Sequence, residues 1–521
     1  MHHGSPHPSR FLSASRPVLL AGWLACVLLA TALYTPWRDA GPDVEDYSEW
    51  IPILRDGGDF WSRHSALVQH YAADGRVYPL SLLQLNARWT LFGTDMVPWQ
   101  WCNLALMLGV VALAMIALRR LGAGPLPAAA SAAFLVAGWP SAAGWLTPPV
   151  CEPLGLLGLL GATIAAASHA NAKRPLRTGA GIVLGFAAAC LTKETFVTTA
   201  PFLALVVLCR ADDGWHRPRL TRRSGAAVIA LALACLAEVL LIAAARRQMI
   251  PLGYTAGIGE AIASPDRLLV LAHWMLSPAS DGLRRPWGTI ALACAVTLGM
   301  VVARRGESER WLPTIVAAFS LPAAGIAMYA TWPQLRPYYA IPYVFGTLIL
   351  LALALTSLDR SRSRVRRAAA WACVLVAFAT GAVGAANAAE EQFARREEWT
   401  ALAAHLAARQ AGAPVLVAAD GGQDRAPGRL GRYVRMLWPD RAPRVERVRC
   451  DDVARESTRG SVTVVAFAHQ CAGQRTRWPR PARSIIVPYT VRASALLAAR
   501  QDTLRVDVWE GDAGRAPTRS P

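Results

Sequence analysis

Four acidic side chains stand directly after the first apolar stretch of a chain whose formal net charge is +19 at pH 7. They belong to GPDVEDYSEW, residues 41–50, and are Asp43, Glu45, Asp46 and Glu49. A carboxylate can take the proton of a hydroxyl nucleophile as a general base, and a second acid beside it makes it a stronger base. The alternative, which spacing alone favours, is a solvated loop whose acids cap a helix.

A second candidate is Lys193-Glu194 in CLTKETF, because Lys173 is the only other lysine in the chain. The dipeptide lies between two short apolar runs, and ionisable groups at membrane depth are costly and often functional. A compact ammonium suits a phosphate group. An ion pair with Glu194 or another acid, holding helices together, is an equally good interpretation, and the residues alone leave both open.

Two further candidates flank apolar stretches. Arg336 lies in TWPQLRPYYAIP, residues 331–342, where a guanidinium could bind phosphate oxygens in pairs or extend to the membrane interface. Its neighbours Tyr338 and Tyr339 could stack on a sugar or lie in the interface. Glu152 in LTPPVCEPLG could be a second acid or a metal ligand, but a charge partner for a helix N-terminus is the preferred interpretation.

The elements that carry these residues are predicted to be membrane helices. The chain is 54% hydrophobic and 17% charged, with a mean hydropathy of +0.29, which is too apolar for a soluble multidomain protein. Runs of about 18 or more apolar residues can cross a hydrocarbon core of roughly 30 Å. Eleven spans are predicted, at about 17–36, 99–118, 126–146, 153–168, 178–192, 195–209, 225–245, 286–303, 311–331, 341–358 and 368–388.

Arginines in the connections between spans indicate the orientation. With a cytoplasmic N-terminus, the short basic connections all fall on the inner side, as the positive-inside rule requires. They are 119–120, 173–177, 217–223, 304–310 and 359–367. The basic segment 246–285 is an exception on the outer side, which helix-end snorkelling explains. The candidate residues then all lie on the outer side. Because the arginines lie beside apolar spans, they also argue against nucleic-acid binding.

The outer side also receives the longest connection, residues 37–98, which is rich in tryptophan. Two stretches in it, 59–74 and 79–93, are predicted to be helices lying in the interface. The first span, interpreted as an uncleaved anchor rather than a signal peptide, opens a transmembrane domain predicted over residues 1–388.

A second domain is predicted over residues 389–521, on the outer side. Charged residues increase there, and helix-like segments at 397–410 and 428–438 separate short β-rich runs, which favours a small α/β fold. The runs are 414–420, 461–469, 483–489 and 503–509. Cys450 and Cys471 could form a disulfide in an oxidising compartment. The predicted fold class is therefore an α-helical polytopic membrane protein with a C-terminal extracytoplasmic α/β domain.

The order of these features resembles the GT-C class of membrane glycosyltransferases, the group that contains protein O-mannosyltransferases and the aminoarabinose transferases of lipid A. An acidic pair and an aromatic, Glu45-Asp46-Tyr47, follow the first span, where relatives often have Asp-Asp or Asp-Glu. The other stretches that are similar to the class are GRVYPLSLLQLNARWTLFGTDMVPWQWCNLAL (75–106), CEPLGLLGLLGA (151–162), GFAAACLTKETFVTTAPFLAL (185–205) and LRPYYAIPY (335–343).

This resemblance implies transfer of a sugar, with inversion, from a polyprenyl-phosphate donor to an acceptor hydroxyl at the outer face of a bacterial inner membrane. It implies Asp46 as the base, with Glu45 beside it. The residues that would hold the donor phosphate are Lys193, Arg336 and Arg76. Those that would orient the acceptor or a divalent cation are Glu45, Glu152, Glu194 and Asp43. Tyr338 and Tyr339 would stack on the substrate.

The sequence leaves the donor sugar, the acceptor and the use of a metal open, since some members of the class use a divalent cation and others do not. Two other classes of protein also stay open. One is a transporter or flippase of a lipid-linked saccharide, whose buried charges would line a pathway. The other is a non-catalytic protein of envelope polysaccharide assembly.

Overall fold

Apolar helices make up most of the part of the chain that the structure describes. The structure is a computed structural model, and it describes residues 8–34, 44–73, 76–147, 151–170, 172–211, 214–246, 265–279, 287–330, 337–361, 363–408, 414–419, 426–437, 443–456, 462–467, 478, 481–492 and 499–510.

The chain divides into two compact units, a helical unit and a sheet unit. The helical unit comprises Met1–Arg38, His64–Ala389 and Ser494–Leu497. The sheet unit comprises Asp39–Arg63, Glu390–Ala493 and Ala498–Pro521. Residues 39–63, from the beginning of the predicted outer loop, therefore belong to the sheet unit. The domain predicted over residues 389–521 does not include them.

The helices follow one another along the chain. The first half of the chain forms α1 (Pro8–Tyr34), α2 (Val44–Asp56), α3 (Phe60–Ala73), α4 (Pro79–Phe92), α5 (Met96–Arg120), α6 (Pro125–Ala132), α7 (Phe134–Ala137), α8 (Trp139–Leu146), α9 (Glu152–Ala167), α10 (Pro175–Thr192), α11 (Ala200–Cys209) and α12 (Arg222–Arg246). The second half forms α13 (Pro265–Leu276), α14 (Trp287–Ala330), α15 (Val344–Asp359), α16 (Arg364–Ala407), α17 (Ala426–Leu437) and α18 (Val453–Glu456). Short 3-10 helices lie at Glu194–Thr199, Pro337–Ala340 and Cys450–Asp452.

Each of the eleven predicted spans falls on an apolar helix or helix pair. In the described part of the chain, six helices are long and apolar enough to cross a membrane, or seven with one pair bent by 69°. The six are Arg16–Tyr34, Met96–Arg120, Pro175–Thr192, Arg222–Ala245, Leu312–Ala330 and Arg364–Ala407, and the pair is Pro125–Ala137 with Pro140–Leu146. The other four spans are the shorter helices Glu152–Ala167, Glu194–Cys209, Trp287–Val302 and Val344–Asp359.

One predicted loop is helical. Residues 304–310, expected to form a basic loop, belong to α14, which comprises 44 residues. Gly299 and Gly325 of α14 both pack along the short α15, against Ala354 and Tyr343, so α14 is not one straight crossing and the chain still turns between the two predicted spans. Arginine and glutamate dominate this connection, and both are good helix formers, so a polar composition did not require a loop.

The α4 helix packs against α5 and α10 and buries Leu82, Leu85 and Asn86. Its place in the membrane interface stays a prediction. Tyr78 and Pro79 begin the helix, since a proline at the first helical position has a suitable φ and needs no N–H partner. This packing brings the first turn of α4 to the C-terminal end of α10.

Glycines set the distance between α9 and α10. A Cβ on Gly158 would come within 2.7 Å of the Gly185 carbonyl oxygen, and a Cβ on Gly185 within 2.8 Å of the Ala162 nitrogen. Small residues let membrane helices approach closely enough for backbone contact. The Glu152 end of α9 and the Lys193 end of α10 are therefore held together by close helix packing.

We expect Gly158→Ala to destabilise the protein by about 1–3 kcal/mol, because the added methyl group overlaps the α10 backbone. Gly161, one turn further along α9, is the matched control, since a Cβ there meets nothing within 4 Å. Gly161→Ala should be neutral or stabilising by up to about 1 kcal/mol. Thermal unfolding of both variants in detergent measures this, and equal melting temperatures would contradict the close approach.

The sheet unit contains a five-stranded mixed sheet of order β4-β3-β5-β7-β6, where β1 and β2 are a small hairpin of the helical unit (Arg210–Ala211 and Gly214–Trp215). The strands are β3 (Val415–Ala419), β4 (Val445–Arg449), β5 (Thr463–Phe467), β6 (Arg483–Arg492) and β7 (Ala499–Glu510). The strand β3 is parallel to β4 and β5, whereas β7 is antiparallel to β5 and β6. The central strand β5 is buried along its whole length.

This sheet confirms the predicted α/β fold, and the helices confirm the predicted polytopic fold class. The edge strand β4 was not predicted, because VERVR is mostly charged and resembles a loop. Within this unit α2 packs against α17. Cys450 is buried and disulfide-bonded, and Cys471, with which a disulfide was considered, lies outside the described residues.

Candidate active site

Buried charged side chains of the helical unit come together where α9 begins and α10 ends. Glu152, Lys193 and Glu194 are each less than 5% exposed. Arg76, from the segment before α4, and Tyr339, from the segment before α15, contact them. We call these five residues the charged cluster.

The end of α10 presents Lys193 and Glu194. Thr192 is the last residue of α10, and Lys193 is extended, with φ −159° and ψ 126°. The Ser81 hydroxyl donates a hydrogen bond of 2.8 Å to the Thr192 carbonyl, which satisfies a carbonyl that the helix end leaves unpaired. Glu194 then begins the 3-10 helix, so the two charged side chains leave the backbone at the break between the helices.

Lys193 is paired with Glu152. The ammonium donates to the carboxylate oxygen Oε1, and the two side chains are only 6% and 2% exposed. Glu152 is the first residue of α9, where the helix N-terminus stabilises a negative charge. Glu152 therefore lies at a helix N-terminus, as its preferred sequence interpretation has it. Lys193 forms an ion pair with an acid, which was one of its two interpretations.

Tyrosine rings cover the other side of the ammonium. Lys193 Nζ lies 4.3 Å from the centroid of the Tyr339 ring and 5.6 Å from that of Tyr338. The Tyr339 ring stacks on Tyr329 with centroids 4.6 Å apart. These are cation–π distances, and they are favourable where water is excluded. Stacking of Tyr338 and Tyr339 on a sugar stays a prediction.

Tyr343 joins the two segments that form this enclosure. Its hydroxyl donates to the Thr195 carbonyl over 3.1 Å and lies 3.0 Å from the Thr198 hydroxyl. Both partners belong to the 3-10 helix that follows Lys193. The tyrosine segment and the lysine segment are therefore fixed to each other by hydrogen bonds as well as by ring contacts.

Arg76 forms the second charge pair of the cluster. Its Nε lies 3.7 Å from Glu194 Oε1, and its guanidinium carbon lies 5.1 Å from the centroid of the Tyr78 ring. Burial raises the pKa of the Tyr78 phenol well above its usual range, so the ring stays neutral beside the arginine. The Arg76 side chain is 33% exposed, which makes it the accessible cation of the cluster.

One oxygen of each carboxylate lacks a partner within the described residues. Glu152 Oε2 and Glu194 Oε2 are buried and accept no hydrogen bond there. Buried polar atoms nearly always have a partner, so these two oxygens can accept from a bound hydroxyl or amine. Among the described residues, no three His, Cys, Asp or Glu side chains form a group that could hold a metal ion.

The other predicted site residues are not part of this geometry. Asp43 and Arg336 lie outside the described residues. Glu45 and Asp46 belong to α2, and their side chains lie outside the described part. Their functional assignments stay predictions.

Sequence reasoning missed three residues of this region. Glu238 is a buried acid inside the apolar helix α12, close enough to Glu194 for their charges to interact. A lone acid in an apolar span was the available signal for it. Ser81 and Tyr329 gave no signal, because their contacts join elements distant in sequence.

No protein-family model matches the chain, and no curated protein matches it significantly. Three solved structures are similar in fold. ArnT from Cupriavidus metallidurans bound to undecaprenyl phosphate has 13% identity and a TM-score of 0.45, with 96% of this chain and 98% of that chain covered. Archaeal oligosaccharyltransferase AglB from Archaeoglobus fulgidus, in complex with an inhibitory peptide and a dolichol-phosphate, has 11% identity and a TM-score of 0.48. The match covers 86% of this chain and 69% of that chain.

The third is the arabinofuranosyltransferase AftD from Mycobacteria, with 16% identity, a TM-score of 0.48, and coverage of 95% of this chain and 40% of that chain. With TM-scores below 0.5 and identities of 11–16%, all three are distant likenesses in fold.

Proposed function

We propose that this protein is a GT-C type glycosyltransferase that moves a sugar from a polyprenyl-phosphate donor to an acceptor hydroxyl. The observation that supports this proposal is the charged cluster, which holds two cations at one end of apolar helices. A lipid-linked phosphate enters a protein from the membrane and needs cations at the membrane boundary. Lys193 and Arg76, with Arg336 as a third candidate, are the residues proposed to bind it.

The cations would act on the leaving group. When the bond between the anomeric carbon and the phosphate oxygen breaks, negative charge develops on the phosphate. Fixed positive groups in a site from which water is excluded stabilise such charge strongly. Lys193 lies against the Tyr339 ring, which holds the ammonium in place before the reaction.

Asp46 is the proposed base, on the sequence resemblance alone. Its carboxylate would take the proton of the acceptor hydroxyl while that oxygen forms the new bond to the anomeric carbon. The polyprenyl phosphate leaves with the electron pair, and the anomeric configuration is inverted. Glu45 and Asp43 are the alternative bases in the same stretch.

The two orphaned carboxylate oxygens are proposed to bind hydroxyl groups of the sugar or of the acceptor. Glu152 and Glu194 each keep one oxygen for a cation and have one oxygen available. The proposed location is the outer face of a bacterial inner membrane, with a cytoplasmic N-terminus and a periplasmic sheet unit, as the distribution of arginines favours.

The test is an assay of the full-length protein in nanodiscs with a panel of polyprenyl-phosphate sugars and an extract of envelope lipids and polysaccharides. We expect donor-dependent release of polyprenyl phosphate. The same protein in proteoliposomes, with a fluorescent lipid-linked saccharide, tests transport. Translocation without release of polyprenyl phosphate would support a flippase instead. Absence of both activities would support the non-catalytic assembly role.

A further inference from the structure

We infer that Glu152 competes with the donor phosphate for Lys193, so that donor binding exchanges one anion for another on the same ammonium. This inference rests on the proposed function, because it takes a phosphate group as the ligand. It makes Glu152 a residue that sets donor affinity, which differs from the assigned role of orienting an acceptor or an ion.

Both cations of the charged cluster lie beside carboxylates in the described part of the chain. Lys193 is neutralised by Glu152 in a close pair, and Arg76 is paired more loosely with Glu194, at 3.7 Å. Glu238 adds another carboxyl near Glu194. A phosphate added to these paired charges would leave a net negative charge in a buried place, which costs several kcal/mol for each unpaired ion.

The Lys193 ammonium is enclosed by its neighbours. Tyr339 covers one side of Lys193, at 4.3 Å, and Glu152 occupies another. The ammonium and Glu152 are almost completely buried, so bulk water screens their pairing little. A phosphate therefore gains the full contact with Lys193 only when Glu152 moves away.

The N-terminus of α9 would stabilise the Glu152 carboxylate after it leaves Lys193. Glu152 is the first residue of α9, whose N-terminal amides are oriented toward an anion, and Pro153 follows it. A rotation of the side chain away from the lysine would keep the carboxylate beside the helix end, which would still compensate part of its charge. The free oxygen Oε2 shows that the present position does not satisfy the carboxylate completely.

The test measures binding of farnesyl phosphate, a short form of the leaving group, to the full-length protein in nanodiscs. For Glu152→Gln, the dissociation constant should fall at least about tenfold relative to wild type, since a competing charge is removed. Glu152→Asp, which keeps the charge but shortens the reach, should give a smaller decrease and serves if the glutamine variant does not fold. Farnesol should bind all variants equally. Glu391→Gln, at a partly exposed glutamate that forms its own pair with Arg395, is the matched control and should not change the affinity.

A double-mutant cycle with Lys193→Met identifies the route of the effect. Glu152→Gln should tighten binding more when Lys193 is present than in Lys193→Met, where it removes only the repulsion between Glu152 and the phosphate. Weaker or unchanged binding by both Glu152 variants would overturn the exchange and show that Glu152 only positions the lysine. Comparison with inorganic phosphate shows whether the ligand must be lipid-linked. Absence of binding to wild type would overturn the proposed phosphate site, whereas wild-type binding without tightening would overturn only the exchange.

Discussion

Lys193→Met is expected to reduce donor-dependent turnover about 100- to 1,000-fold, the usual effect of removing one group that stabilises developing charge. It should also lower the free energy of unfolding by about 3–5 kcal/mol, because Glu152 would become a buried charge without its partner. Methionine keeps the length and most of the volume of lysine, so the loss of charge dominates both effects.

The double variant Lys193→Met/Glu152→Gln separates the two effects. A neutral amide in place of Glu152 removes the uncompensated charge, so most of the stability should return while turnover stays low. Lys173→Met is the matched control, because Lys173 is the only other lysine and is exposed. Turnover is measured as release of polyprenyl phosphate, and stability as thermal unfolding in the same nanodiscs. Recovery of turnover together with stability would contradict a role in catalysis.

The helices could be predicted from sequence because each one carries its own signal. A continuous apolar run predicts a membrane helix wherever it occurs, and α12 and α15 follow their predicted spans closely. The helical connection inside α14 was missed because a polar composition is compatible with a loop and a helix alike. The strand β4 was missed for a related reason, since its pairing with β3 is a backbone register that its mostly charged side chains do not reveal.

The charged cluster could be predicted only in part. Rarity of lysine singled out Lys193, and the start of an apolar span singled out Glu152. Their mutual contact depends on the close approach of α9 and α10, which the glycines permit but no local pattern specifies. Tyr329 and Ser81 reach the cluster from elsewhere in the chain, so only the fold reveals them.

The acidic stretch at 41–50 is predicted to contain the general base. Asp46→Asn is expected to lower kcat by about 100- to 10,000-fold, the range for loss of a general base. An amide matches the carboxylate in shape but cannot take the proton of the acceptor hydroxyl. Binding of farnesyl phosphate should be unchanged, because the proposed phosphate contacts are made by Lys193 and Arg76.

Neighbouring acids of the same stretch identify which carboxylate is the base. Asp43→Asn and Glu45→Gln should each lower kcat far less than Asp46→Asn, and Glu49→Gln, the matched control, should leave it unchanged. Rate measurements across pH add a criterion, since only the loss of the base removes the rise of kcat with pH that its deprotonation causes. If Glu45→Gln instead produced the large loss and flattened this rise, the base would be Glu45, and equal turnover in all four variants would place proton removal outside this stretch.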